Sequence, residues 1–334
     1  MKSNNNLSRY IHGFLQDYMS LQKGLSRHTI LSYRDAIKLL LTFSATNKKK
    51  SVTNLTLSEL SPTMVVRFLD YLEKDRGNSR QTRNNRLACL HSLFSYIARH
   101  DPLTFNHCQR ILVIPFKRTQ SSTIDYLERE EVKAILKAVN RTTIDGYRDY
   151  TLLSLMYETG ARVQEVISLP VRALQLERPF QVRFIGKGEK ERICPLWPDT
   201  AKLLRSFLKQ RKIDSKADAL VFLNHRGEQL TRQGIRYLLT KYVQIAAKNC
   251  PPLKQKRIHP HSLRHSCAIA LLQSGVDINT IRAWLGHIHI DTTNRYARIN
   301  LEMKRKVLEK HLPIVKGSRP WKRNHQLLEW LESL

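Results

Sequence analysis

The sequence predicts a mainly α protein of two domains, with one small antiparallel β-sheet set into the second. Three observations lead there. At 334 residues the chain exceeds an average domain and suits two. Apolar residues recur at helical spacing through the first hundred residues and again from about residue 127. One window, residues 181–195, alternates instead with the period of a strand. Hydrophobic residues make up 41%, with only 12 Gly and 12 Pro, so each domain can bury a core and disordered or fibrous classes are excluded.

The N-terminal elements follow in order. Leu7, Tyr10, Ile11, Phe14, Leu15 and Tyr18 fall on one stripe, and Gly24 ends that helix. Ser26 announces a second helix carrying Ile30, Tyr33, Ile37, Leu40 and Leu41. A third runs from Ser61 to Lys74, with Pro62 just inside its start, where a missing N–H costs nothing. A fourth begins near Ser79 and presents Leu87, Leu90, Leu93, Phe94 and Ile97. Its opening turns hold Arg80, Arg83 and Arg86 at three-residue steps, which reads either as a phosphate track or as a solvated face. Residues 113–125, with Pro115, Lys117, Arg118 and a polar run, have no helical period and form a basic linker. The domains expected are therefore 1–112, the linker 113–125, a second domain 126–311 and a tail 312–334.

The second domain opens on a helix from about Leu127, with Glu128, Glu130 and Glu131 complementing the dipole of its first turn. Another spans about Tyr147 to Glu158 and stops at Gly160. A hairpin follows: Gln181 to Ile185, a turn at Gly186-Lys187-Gly188, and a return through Arg192 to Pro195. Helices resume from about Thr200.

Charge narrows the function. Lys and Arg number 57 against 28 Asp and Glu, a formal +29 that calls for a polyanionic partner. Nucleic acid leads, because the apolar stretch from Ala36 to Phe43 is short and contains Lys38, well below the ~20 residues a membrane span needs. The polar start after Met1 is unlike a signal peptide. Five cysteines without a CxxC pair read as reduced thiols. A cytoplasmic protein that does not engage membranes is expected.

Five segments of the second half then stand in register. They are Thr159-Gly160-Ala161-Arg162-Val163-Gln164-Glu165, Gly186-Lys187-Gly188-Glu189-Lys190-Glu191-Arg192, His261-Ser262-Leu263-Arg264-His265, Leu285-Gly286-His287, and Tyr296, nine residues after His287. In their order and spacing they resemble the tyrosine recombinases, the family of phage integrases and Xer-type recombinases. The resemblance covers about residues 7–311. It implies a SAM-like core-binding domain at the N-terminus, a catalytic domain of the tyrosine recombinase fold, and a two-domain clamp on double-stranded DNA in bacterial cytoplasm, associated with the nucleoid when bound.

The chemistry of these residues supports that reading. Cleaving a phosphodiester without a metal requires permanent cations shaped to hold two oxygens, which Arg162 and Arg264 supply. Glu165, one turn after Arg162, is placed to hold it or a neighbour. A phenol of reference pKa about 10 needs help to lose its proton. The resemblance makes Tyr296 the nucleophile, His261 its base, His287 a donor to the phosphate, and Lys187 the acid that protonates the leaving 5′-oxygen. No cofactor is implied. His259, His261, His265, His287 and His289 are close in sequence, but no acidic or cysteine ligands stand among them, so a metal site is not expected. Lys190 and Arg192 read equally as phosphate contacts and as a solvated hairpin face.

Small departures from the family pattern, Ser266-Cys267 and Ile288-His289, remove no charged catalytic group. After Tyr296 the chain departs more. Leu327, Leu328, Leu331 and Leu334 form one stripe beside Trp330, and Pro320 marks a helix start. By resemblance, residues 321–334 dock on a neighbouring protomer, implying dimers and a synaptic tetramer on DNA. Accessory recombinases and DNA-bending proteins are compatible partners. The expected activity is site-specific recombination, as integration, excision or transposition of a mobile element, through a 3′-phosphotyrosyl link. Two rivals are a type IB topoisomerase and a catalytically silent DNA-binding regulator.

Overall fold

A computed structural model describes residues 6–119, 125–186, 190–212 and 219–286. The chain divides into two compact units, Met1–Ser122 and Thr123–Leu334. Among the described residues no helix is long and apolar enough to cross a membrane.

Every regular element described in the first unit is helical. Helix α1 (Leu7–His12) continues as a wider π-helical stretch, Gly13–Gln22. Where the widening begins, Gly13 lies flat against Tyr96, and a Cβ there would sit 2.6 Å from the tyrosine hydroxyl. Helices α2 (Arg27–Lys48), α3 (Pro62–Lys74) and α4 (Arg80–His100) each start at a serine whose hydroxyl accepts a backbone N–H, from Thr29, Met64 and Thr82 in turn. Each such cap satisfies an orphan donor and contributes about 1 kcal/mol. Their apolar stripes meet in one core around Phe14, Leu40, Phe68, Leu90 and Phe94. An eight-residue helix, α5 (Phe105–Leu112), packs on α4 inside the segment preceding the expected linker.

In the second unit α6 (Arg129–Lys137) opens with Glu131 accepting the Glu128 N–H at 2.7 Å. Helix α7 (Ile144–Thr159) ends at Gly160, whose φ of 59° is the left-handed conformation glycine adopts without strain. A short helix α8 (Val163–Ile167) follows at once. The sheet has three antiparallel strands in the order β1 (Leu174–Gln175), β2 (Gln181–Ile185), β3 (Glu191–Pro195). In the β2–β3 register Phe184 faces Arg192 and Val182 faces Cys194, all four turned inward. Helices α9 (Pro198–Gln210), α10 (Arg232–Ala246), α11 (Pro260–Gln273) and α12 (Ile278–Leu285) complete the described unit. Between α9 and α10 the described chain is not helical and adds two isolated bridges, Pro170 to Leu220 and Leu223 to Gln229. Helices α11 and α12 join through a small apolar cluster that includes Cys267, Ile269, Ile281 and Leu285.

Candidate active site

The site is built where two helices end. Gly160 closes α7 and Gly286 closes α12, both with positive φ, so the last carbonyls of each helix point outward without intrahelical partners. Arginines supply the missing donors. On α11, Arg264 is 3% exposed, and its guanidinium donates to the Gly160 carbonyl at 2.6 Å and to the Leu285 carbonyl. Arg162, the residue capping α8, donates from Nη2 to the Gly286 carbonyl at 2.9 Å. Two guanidiniums distant in sequence thus reach adjacent carbonyls of one helix end. Cations are favoured there by the negative end of the helix dipole as well.

Glu165 holds Arg162 from the other side. Its Oε2 accepts the Arg162 backbone N–H at 2.8 Å, and its Oε1 accepts Nη1 of the same residue at 2.7 Å. A second guanidinium, Arg192 on β3, donates to Glu165 Oε2 at 2.8 Å. Burial pushes the Glu165 carboxyl up, but the Arg192 charge and the bonds from both arginines outweigh it and hold the group below the ordinary carboxylate value. Arg192 also donates to the carbonyls of Trp284 and Thr159 and lies over the Phe184 ring, 4.7 Å from its centroid. Beside it, burial pushes the Cys194 thiol up to about 11, so this cysteine stays protonated.

His261 sits in the first turn of α11, solvent-accessible on one side and facing His259 at 6.2 Å between ring centroids. Partial burial lowers its pKa below the usual 6.5, and the neighbouring His259, Arg264 and Arg162 lower it further. At neutral pH the imidazole is therefore uncharged and able to accept a proton. Among the described residues no three histidine, cysteine or carboxylate groups converge as a metal site would.

A cleft opens over this network, and its lining includes Arg162, Glu165, Gly186, Lys190, Arg192 and Gly286. Lys187, His287 and Tyr296 lie outside the described residues, as does the tail from 312 to 334. The described neighbours of two of them lie against Arg162: a Cβ built on either Gly186 or Gly286 would be 3.8 Å from its Nη1.

Of the basic residues expected to touch DNA, two are placed differently. Arg83 is 5% exposed and donates to Asn84 Oδ1 and the Pro115 carbonyl, both at 3.1 Å, tying α4 to the segment after α5. Arg192 is 9% exposed and committed to the network above. Arg83 is thus turned into its own unit, whereas Arg192 borders the cleft with its terminal nitrogens already bonded. Arg80, Arg118 and Lys190 are exposed, and Arg86 is half-buried. Lys117 is exposed but paired with Glu73, and lies 4.0 Å from Asp70. The role of Arg192 escaped the sequence reading, although strand alternation held a signal: it shares a face with buried Cys194, between exposed Glu191 and Ile193.

Comparison with known proteins agrees with this geometry. The profile of the phage integrase family matches residues 125–303, and that of the phage integrase N-terminal SAM-like domain matches residues 11–101. A putative integrase/recombinase, y4rC, of Sinorhizobium fredii is 37% identical over 334 residues, covering all of both chains. Tyrosine recombinase XerD of Staphylococcus epidermidis is 30% identical over 300 residues, 89% of this chain and 96% of that protein. The fold is shared with the XerH site-specific recombinase solved in a post-cleavage complex with its palindromic difH substrate. There the TM-score is 0.67 at 23% identity, over 92% of this chain and 89% of that one. It is shared equally with the Tn1549 transposon integrase in complex with transposon right end DNA, at TM-score 0.67, 16% identity, and 90% and 98% coverage.

Proposed function

This chain belongs to the phage integrase family of tyrosine recombinases, enzymes of site-specific DNA recombination that cleave and rejoin strands, and we propose that its own cleavage is a metal-free transesterification at Tyr296. The Tyr296 oxygen attacks the phosphorus while His261 takes the phenolic proton. The bond from phosphorus to the 5′-oxygen breaks, and Lys187 delivers a proton to the departing oxygen. Arg162 and Arg264 neutralise the phosphorane oxygens, with His287 as a further donor, so stabilisation falls on charge that develops in the transition state. The product is a 3′-phosphotyrosyl link and a free 5′-hydroxyl. Because the ester is kept, a 5′-hydroxyl from a partner strand reverses the attack and seals a recombinant joint. The substrate is double-stranded DNA in the bacterial cytoplasm, and the outcome is integration, excision or transposition of a mobile element.

One observation carries this reading. Arg162 and Arg264 are fixed on the adjacent carbonyls of Gly286 and Leu285, directly before His287, and their charges help to lower the pKa of His261. The exposed basic residues Arg80, Arg118 and Lys190 of both units contact the phosphate backbone, so affinity falls steeply with salt. Dimers, and a synaptic tetramer joined through residues 321–334, hold several sites together for strand exchange. Deleting that segment should weaken assembly on DNA more than binding by one protomer.

The test is covalent trapping. A pool of randomised duplexes, each nicked near its centre so that the cleaved fragment is lost, is offered to the full-length chain. Wild type should become attached to a subset of the pool, and Tyr296→Phe should bind the same subset without attachment. A wild-type chain that traps none of the pool, or a Phe variant that still attaches, overturns the proposal.

A further inference from the structure

We propose that Arg192 is a positioning residue that keeps Arg162 electrostatically available to the scissile phosphate by occupying Glu165. This rests on the function proposed above and adds to it a residue that does not meet DNA. The Arg192 side chain is 7% exposed, against 32% for Arg162. It borders the cleft, but it is pinned over Phe184, hydrogen-bonded to the ends of α7 and α12, and paired with Glu165, so both of its terminal nitrogens are already committed inside the protein.

Glu165 has two oxygens and two guanidinium partners: Oε1 takes Arg162 and Oε2 takes Arg192. With Arg192 in place the single negative charge of the carboxylate is shared between two guanidiniums, at 2.7 Å and 2.8 Å. Taken over Arg162, Arg192, Arg264 and Glu165, the formal charge beside the cleft is then +2. A phosphodiester monoanion attacked by a phenolate passes through a doubly negative phosphorane, which that charge matches. Without Arg192, the Glu165 charge falls on its other partner, Arg162, 2.7 Å away. The carboxylate would then cancel much of the field that the phosphorane needs, and this loss grows as charge develops. Ground-state DNA binding, spread over many exposed lysines and arginines, would feel it little.

Gly286 reinforces the assignment. A Cβ at this position would lie 2.7 Å from Arg192 Cδ and 3.8 Å from Arg162 Nη1, so the backbone just before His287 is in contact with both guanidiniums. Removing the Arg192 cation therefore disturbs the charge balance at the same point where Arg162 is held.

The experiment uses the full-length chain and the duplex that wild type traps best from the nicked pool. Arg192→Gln should slow covalent attachment on the order of 10²-fold, the scale of losing one transition-state donor. Its Kd for the same duplex should change less than about threefold, since this buried guanidinium makes no contact with phosphate. The decisive arm is Arg192→Gln combined with Glu165→Gln. That pair removes the stranded anion together with its cation, and it should attach at least about tenfold faster than Arg192→Gln alone. A residue serving only to pack β3 would give a double variant no faster than the single one. That result overturns the assignment, as does a Kd that weakens in step with the rate. If Arg192→Gln does not fold, Arg192→Lys substitutes: charge retention should keep its rate within about tenfold of wild type, and a folded Lys variant slower by ~100-fold overturns the assignment. A wild type that traps nothing overturns the proposed function, and the role of Arg192 with it.

Discussion

Glu165→Ala should be among the most destabilising single substitutions in the second unit. The carboxylate side chain is 3% exposed and accepts from three N–H groups: the Arg162 backbone, Arg162 Nη1 and Arg192 Nη2. Truncation leaves two cations behind, and their surroundings decide the cost. Arg162, 32% exposed, can be rehydrated, whereas Arg192, at 7%, cannot. Stranding one buried partner of an ion pair costs about 3–5 kcal/mol, with most of it here assigned to Arg192. In a unit of this size each kcal/mol moves Tm by roughly 2–4 °C, so the transition should fall by roughly 6–20 °C. Calorimetry at pH 7 measures this directly, and a fall below about 2 °C would refute the reasoning. A second readout comes from acid. The folded Glu165 carboxyl lies below its ordinary value of 4.5, so the stabilisation is complete above that pH and is lost as pH falls through the lowered value. The variant should lack this part of the acid limb. An acid limb identical to wild type would mean that the carboxylate is not held by the arginines.

Three other outcomes are expected. Gly160→Ala meets a positive φ, at ~1–2 kcal/mol, and places a Cβ 2.5 Å from Leu285 Cδ2 and 3.3 Å from Cys267 Sγ, adding about 1–3 kcal/mol, so urea denaturation should show a loss of about 2–5 kcal/mol. Since the Gly160 carbonyl accepts from Arg264, covalent trapping by the folded fraction should slow as well. The pH dependence of trapping should have an acid limb below 6.5, because the lowered pKa keeps His261 in its basic form until the pH drops beneath its ordinary value. A limb above 6.5, or one that persists in a folded His261→Gln chain, would remove His261 from the role of base. Tyr242→Phe deletes the 2.7 Å bond its hydroxyl donates to Asp149, which is 2% exposed, and should cost about 1–3 kcal/mol in the same urea assay without altering trapping per folded molecule.

What the sequence makes legible is local. Ser26, Ser61 and Ser79 announce helices because each hydroxyl satisfies an N–H three residues on. Gly160 marks a helix end, and the alternation at 181–195 marks a hairpin, since both depend on short-range geometry. Short elements are hidden. Helix α5 buries only Cys108 and Ile111, and β1 is two residues long, so neither offers a period to detect. The arginine track fails for a geometric reason. A helix turns about 100° per residue, so each three-residue step falls short of a full turn by about 60°. Arg80, Arg83 and Arg86 therefore fan across about 120° of the surface, from an exposed flank, through a buried contact with Pro115, to a half-buried flank. The anchoring of Arg264 on Gly160, 104 residues away in the chain, leaves no local trace at all.

Burying or half-burying three guanidiniums around one carboxylate requires more negative potential than Glu165 supplies alone. The two helix ends provide it. Thr159, Gly160, Trp284, Leu285 and Gly286 all offer carbonyls to arginine N–H groups, at positions that intrahelical bonding leaves open. The left-handed glycines that terminate α7 and α12 are thus part of the electrostatics as well as of the fold. Position 286 illustrates why the residue must be glycine. Its φ of 63° alone would admit asparagine, which tolerates that region. The 2.7 Å separation between a Cβ and Arg192 Cδ would not, because the arginine is fixed by its ring, its carboxylate and two carbonyls. A chain that looks from its composition like a surface of phosphate contacts therefore uses one buried cation to hold others, and the conformation of two glycines determines where those others point.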